Sequence, residues 1–430
     1  MAHRVVIVGG GFGGLNAALA LRSAPVEVTL IDRRNFHLFQ PLLYQVATGG
    51  LSPANIAAPL RSVLSRQRNA RVILGEVESI DVAARAAVLT GDRIEYDTLV
   101  VAAGMSHSYF GRPEWEEHAP GLKTIEDATA IRRRVLQAFE DAERQPDPKL
   151  GADWLTFVVI GGGPTGLEMA GTISELARHT LRHDFRRIDP SKARVILIEG
   201  ADRVLPTFRE AISARAAQLL SRLGVEVWTN SRVTDVSAGR VTVQRPSGVT
   251  LVPAACVIWA AGVQAVPLSR QLAEATGAAT DRAGRIRVEP DLTVPGHPEI
   301  FVIGDMAAVE WRRPGEPPTT LPGVAPVAIQ QGRYVADVIR RRLRGQTVAP
   351  FRYRDKGAMA TIGRAAAIAD LNWTWFSGWF AWLIWLFVHI VYLIRFENRA
   401  LVLFQWAWNW ATRNRTARLI TGDEPRRNPC

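Results

Sequence analysis

Cysteine is scarce in this chain: Cys256 and Cys430 are the only two among 430 residues. That excludes a disulfide framework and a Cys-x-x-Cys redox pair. Cys256 lies inside an apolar run and reads as an inert core thiol, which suits a reducing cytosol. Metal-ligand patterns are also missing. His179 and His183 share an i, i+4 spacing, but no third ligand and no His-Glu-x-x-His pattern accompanies them, so no metal is expected. The chain is basic, with a net charge of +11 and a pI near 10.4. Yet it has no RNA-binding signature, helix-turn-helix turn or zinc-finger spacing, and no nucleic-acid partner is expected. The positive charge is then left for solubility or for an anionic membrane surface. Met1-Ala-His-Arg4 runs into a strand-like segment without the apolar stretch and cleavage site of a signal peptide, so export of the N-terminus is not expected.

Apolar residues make up 47% of the chain, enough for two or three domains with sizeable cores. Its organising stretch is Phe157-Val-Val-Ile160, a short buried strand, followed by Gly161, Gly163 and Gly166 and then a helix. This spacing gives a tight turn, a close backbone approach to a pyrophosphate, and close helix–strand packing, with the helix N-terminus facing the anion. One such match is weak evidence. The chain opens with the same device, the strand Arg4–Val8 followed by Gly9, Gly11 and Gly14, and two loops imply two dinucleotides. The second strand of the first unit ends in Asp32, and that of the second unit ends in Glu199. An acid at that place accepts hydrogen bonds from the adenosine ribose. Glu199 lies farther from its loop than the usual spacing, and the excess around His179–Pro190 reads as a helix extension and a turn. Thr98–Gly104 and Cys256–Gly262 read as crossing strands that end in Ala103-Gly104 and Ala261-Gly262. Gln145-Pro-Asp-Pro-Lys149 reads as a domain boundary.

Two further stretches are unusual. Asn35–Gly49 is apolar, but Pro41 and Gly49 break its periodicity; its His37 is either a site residue or a satisfied core histidine. Trp373–Ile394 carries no charge and is long enough to span a bilayer. Against spanning, tryptophans crowd this run and Leu403–Trp410, and Arg395, Arg399, Arg413, Arg415 and Arg418 interleave or follow. Two helices lying in the interface plane are expected, with a bilayer span and a dimer or core contact as the alternatives.

Together these stretches resemble the type II NADH dehydrogenases, the single-subunit NADH:quinone oxidoreductases, from Val5 to about Ile420. The resemblance implies an α/β fold of two Rossmann-like doubly wound nucleotide-binding domains, for FAD and NADH, plus a C-terminal helical membrane-associating segment. The implied domains are 1–120 with 291–345 for non-covalent FAD, 121–290 for NADH, and 346–430 for the membrane. FAD is expected on Gly9, Gly11, Gly14, Asp32, Gln45, Thr48, Ala103, Gly104, Gly304, Asp305 and Ala328, with the segment around Gln45 beside the isoalloxazine ring. NADH is expected on Gly161, Gly163, Gly166, Glu199, Ala261 and Gly262. Glu168 is expected at the nicotinamide–flavin contact. The family's quinone motif, Ala-Gln-x-Ala-x-Gln-Gln-Gly, falls on Ala325–Gly332. Ala325, Ala328, Gln330, Gln331 and Gly332 fit, and Gln330 and Gln331 are expected on the acceptor side, but Pro326 replaces the first Gln. Proline is tolerated in a first helical turn.

The implied reaction passes hydride from NADH to flavin and two electrons to a ubiquinone- or menaquinone-type acceptor, without proton pumping. The implied setting is peripheral, on the cytoplasmic face of the inner membrane, as a homodimer. The competing readings are a reductase of a redox protein and a flavin-bearing NADH sensor. A disulfide reductase would need the missing cysteine pair.

Overall fold

The computed structural model describes residues 2–145, 154–312, 317–394, 396–412 and 414–422. Most of the Pro-rich boundary at 146–149, with Arg395, Arg413 and Cys430, lies outside them. The chain forms two compact units. One comprises residues 1–38, 57–106 and 263–355; the other comprises 39–56, 107–262 and 356–430.

The first unit is built on a six-stranded sheet, in the order Thr293–Val294, His297–Val302, Thr98–Val101, His3–Val8, Val26–Asp32, Ala70–Leu74. All neighbours are parallel except the first pair. Val5–Val8 and Leu99–Val101 are buried, as expected for central parallel strands covered on both faces. Helix Phe12–Ala20 leaves the first glycine loop and packs on helix Ala325–Arg342. A side chain at Gly332 would collide with the carbonyl of Gly13, so this contact requires glycine.

The second unit repeats the plan on a smaller parallel sheet, Val225–Trp228, Arg194–Ile198, Thr156–Ile160, Cys256–Trp259. Helix Pro164–Glu175 follows its glycine loop and ends in a π-helical turn, Leu176–Thr180. The expected extension therefore stops short of His183, and His179 and His183 do not share a helix. No metal-ligand cluster exists among the described residues.

The C-terminal part of this unit begins with an antiparallel sheet, Ala358–Gly363, Ala366–Asp370, Trp375–Gly378. Helices Trp379–Tyr392 and Phe396–Thr412 follow. The uncharged run 373–394 is thus a strand and a helix. Gly378, at φ +79°, makes the break in a conformation that favours glycine. The first helix has 14 residues, about 21 Å, against the roughly 30 Å of a hydrocarbon core. No helix among the described residues is long and apolar enough to cross a membrane.

Candidate functional site

Both glycine loops are made the same way. Gly9 (φ +103°) and Gly161 (φ +109°) begin the turns, and a side chain at Gly14 or Gly166 would strike the carbonyl of Gly9 or Gly161. At Gly11 and Gly163 a Cβ would meet nothing within 4 Å. The middle glycine of each loop therefore faces open space, the cradle that a pyrophosphate needs. The helices beginning just beyond, at Phe12 and Pro164, have no side-chain cap, which leaves their first N–H groups available to an anion.

The two carboxylates repeat this symmetry. Asp32 accepts from the Gly10 N–H at 2.5 Å and the Arg34 N–H at 2.7 Å; Glu199 accepts from Gly162 at 2.6 Å and Ala201 at 2.7 Å. Each acid pins its loop while keeping lone pairs for a further donor such as a ribose hydroxyl. Burial pushes the Asp32 carboxyl up, and the backbone donors work against that shift. The Gly10 carbonyl accepts from the Nδ1 of His37, 2.9 Å away and buried, whereas Gly162 accepts from the Leu205 N–H at 2.7 Å. His37 thus substitutes a side chain for a backbone donor, and burial pushes its pKa down. Crossing-strand residues Ala102–Gly104 run under the first loop and Ala260–Gly262 under the second, through Ala102 N–H to Val8 and Ala260 N–H to Ile160, both at 2.7 Å. Gly104 and Gly262 both have φ +76°. A side chain at Gly104 would meet nothing, whereas one at Gly262 would meet the Phe110 ring at 2.6 Å.

In the first unit, the Gly304 N–H donates to Gln331 Oε1 at 2.6 Å, Gly304 lies beside Ala328, and Asp305 lies beside Gly323. Gln331 is fully buried with its Nε2 unpartnered. Gln330 exchanges two hydrogen bonds of 3.0 Å with the backbone of Arg354. One lone pair of each glutamine's carbonyl oxygen and one hydrogen of the Gln330 amide nitrogen are therefore used within the unit.

In the second unit, Glu168 sits in the first turns of the helix after Gly166. Gly171 on this helix lets strand Ala358–Gly363 approach closely, and the Thr361 N–H lies 3.4 Å from the Glu168 carboxylate. The side chain is partly exposed at its edge, yet enough protein surrounds the carboxyl for burial to push it up to about 8. The Thr361 hydroxyl bonds Tyr44 (2.9 Å); Gln45 Nε2 donates to Tyr44 (3.0 Å), and Trp406 Nε1 donates to Gln45 Oε1 (2.7 Å). The Thr48 hydroxyl is spent on the Tyr44 carbonyl at 2.9 Å. Beside this chain, Arg415 and Glu175 form a largely buried ion pair at 3.2 Å. The contacts of Tyr44 with Thr361 and of Arg415 with Glu175 had no signal in the sequence, since partners 317 and 240 residues apart share no local spacing.

The chain matches the pyridine nucleotide-disulphide oxidoreductase family over residues 3–332 and the NDH2 C-terminal domain over residues 356–413. It is 49% identical to the type II NADH:quinone oxidoreductase Ndh of Mycobacterium tuberculosis, covering 98% of this chain and 91% of that protein. It is 29% identical to the type II NADH:quinone oxidoreductase of Staphylococcus haemolyticus, over 84% and 87% of the two chains. Among solved structures, NDH2 from Plasmodium falciparum in complex with NADH superposes with a TM-score of 0.88, covering 95% of this chain and 98% of that one at 21% identity, which establishes the fold.

Proposed function

The chain belongs to the type II NADH:quinone oxidoreductase family, and from that premise we infer that it oxidises NADH through FAD and reduces a quinone. The observation that carries this reading is the duplicated loop-and-carboxylate device, one in each unit, with open space at Gly11 and at Gly163. These cradles and their acids fit two dinucleotides. We assign FAD to Gly9, Gly11, Gly14, Asp32, Ala103, Gly104, Gly304, Asp305 and Ala328, and Gln45 and Thr48 are carried by the resemblance alone. We assign NADH to Gly161, Gly163, Gly166, Glu199, Ala261 and Gly262. When bound, FAD supplies a two-electron carrier that takes hydride from NADH and gives electrons to the acceptor. The protein orients the nucleotides by backbone N–H groups and by the Asp32 and Glu199 carboxylates. Glu168, protonated near neutral pH, holds a proton that quinone reduction consumes.

The membrane setting follows from the two C-terminal helices. On helix Trp379–Tyr392, Ala381 and Trp385 face the protein while Phe380, Phe387 and Val391 are exposed. On helix Phe396–Thr412, Val402 and Trp406 are buried while Leu401, Phe404 and Trp408 are exposed. An exposed aromatic face of this kind suits insertion into the interface, with the basic residues nearby favouring an anionic cytoplasmic leaflet. A homodimer is proposed on the resemblance alone.

Two assays test the reading. NADH oxidation should be supported by a short-tailed quinone and not by a ferredoxin. A redox-protein reductase would show the reverse, and a sensor would turn over slowly with either. Phe387→Glu with Phe404→Glu should abolish co-sedimentation with anionic liposomes while ferricyanide reduction persists. Each side chain is worth roughly 1.5–3 kcal/mol of apolar burial. Wild-type sedimentation by the double variant would remove the membrane claim.

A further inference from the structure

The two nucleotide units differ at their crossing-strand glycines. A side chain at Gly104 in the first unit would meet nothing within 4 Å, whereas the same space beside Gly262 in the second holds the ring of Phe110. Both glycines have φ +76°, so the backbone is alike and the neighbour is what differs. Phe110, Gly262 and the second glycine loop all belong to the second unit.

Phe110 suits neither its backbone nor its exposure. The Arg112 N–H donates to the Tyr109 carbonyl at 3.1 Å across a turn whose central residues, Phe110 and Gly111, have φ +52° and +85°. Two positive φ values in succession mark a type I′ turn, which favours Asn, Asp or Gly, and a bulky side chain there is strained. The ring is also 67% exposed, so the core repays little of that cost. Strained residues of this kind gather at ligand clamps. The turn is tied to the crossing strand: Trp259 Nε1 donates to the Ser108 carbonyl at 2.9 Å, and the Ser108 N–H donates to the Gly262 carbonyl at 3.3 Å. The Phe110 and Trp259 ring centroids are 5.9 Å apart. Phe110 is thus held against the strand with most of its surface free.

The sheet order says what passes over it. Glu199 follows the strand on one side of the glycine-loop strand Thr156–Ile160, and Gly262 follows the strand on the other side, Cys256–Trp259. A dinucleotide with its pyrophosphate at Gly163 and its adenosine ribose on Glu199 sends its other half across Ala260–Gly262. That half is a flat nicotinamide and its ribose, and an aromatic face packs well on such a ring. Resting on the NADH assignment above, we propose that Phe110 is a further NADH-binding residue, its exposed ring packing on the nicotinamide riboside.

Phe110→Asn removes the ring and puts in the turn a residue that accepts positive φ. In the FAD-loaded variant, calorimetric titration should show the Kd for NAD⁺ raised about fivefold, the equivalent of about 1 kcal/mol. The Kd for ADP, which lacks the nicotinamide riboside, should stay the same. With ferricyanide as acceptor, the loss should fall in KM for NADH rather than in kcat, the pattern of a lost binding contact. Thermal stability should hold or rise, because the turn loses its strain. In parallel, amide hydrogen exchange across 107–112 of wild-type holoenzyme should slow with NAD⁺ and not with ADP, which decides the matter should the variant lose FAD. Unchanged NAD⁺ affinity in the folded variant, NAD⁺ and ADP weakened alike, or exchange that NAD⁺ slows no more than ADP does, overturns the proposal while leaving the NADH assignment intact. Wild-type holoenzyme that binds neither NAD⁺ nor ADP would instead overturn that assignment.

Discussion

Glu168→Gln should raise stability and lower activity together, with the stability gain depending on pH. The Glu168 carboxyl is pushed by burial from an ordinary 4.5 up to about 8. Its folded-state pKa therefore lies above the unfolded value, so the folded enzyme holds a proton that the unfolded chain releases. Stability is fully present below about pH 4.5, is lost as pH rises toward 8, and is level beyond. A tenfold change in proton affinity is worth about 1.4 kcal/mol, so a rise of this size amounts to something on the order of 5 kcal/mol. Partial solvent access at the side chain's edge discounts this to roughly 2 kcal/mol. Glutamine keeps the shape and cannot ionise. Urea unfolding of the FAD-loaded proteins should therefore show the variant ahead by about 2 kcal/mol above pH 8 and level with wild type near pH 4.5. Quinone turnover should fall at least tenfold in the variant, at the low end of what a positioned proton donor contributes. The wild-type decline near pH 8 should vanish with it. A stability difference independent of pH, or wild-type turnover with an unchanged pH profile, would refute the assignment.

Two further outcomes are expected. Glu199 is held by the Gly162 and Ala201 N–H groups; on the NADH assignment proposed above, a 2′-phosphate on the adenosine ribose would meet up to about 4 kcal/mol of repulsion there before screening. Even a third of that is roughly tenfold in selectivity, so NADPH should show kcat/KM at least tenfold below NADH; equal values sink the assignment. At position 37, Asn places Nδ2 where the imidazole Nδ1 donates to Gly10, whereas Leu has the same shape and no donor. FAD binding to the apoprotein should therefore be about fivefold weaker in His37→Leu than in His37→Asn, and equal affinities would make His37 a packing residue only.

Much of the fold was legible because the loops are local. Strand, three glycines, helix and acid fall within one short unit, and each has a single mechanical reason to be where it is. The second loop's longer spacing to Glu199 did not hide it, because the strand pairing of Ile198 with Ile160 restores the register. The C-terminal run was harder. Hydropathy alone marks Trp373–Ile394 as uniform, but Gly378 ends a strand there, and strand Trp375–Gly378 needs its partner Ala366–Asp370 to form. The surroundings of Glu168 were not legible at all. Tyr44 meets Thr361 only because Gly171 admits the strand carrying Thr361 against the helix carrying Glu168. Such a contact is a property of packing, and no spacing in the sequence announces it. His37 is intermediate: its apolar setting was visible, but the carbonyl it serves was not.

The central claim, two-electron passage from NADH through FAD to a quinone, is tested most directly by anaerobic rapid mixing of the detergent-solubilised holoenzyme. NADH in the first mix should bleach the flavin absorbance, and a short-tailed quinone in the second should restore it at a rate no slower than steady-state turnover. Bleached flavin that quinone does not reoxidise on that timescale, or flavin that NADH does not bleach, would contradict the account.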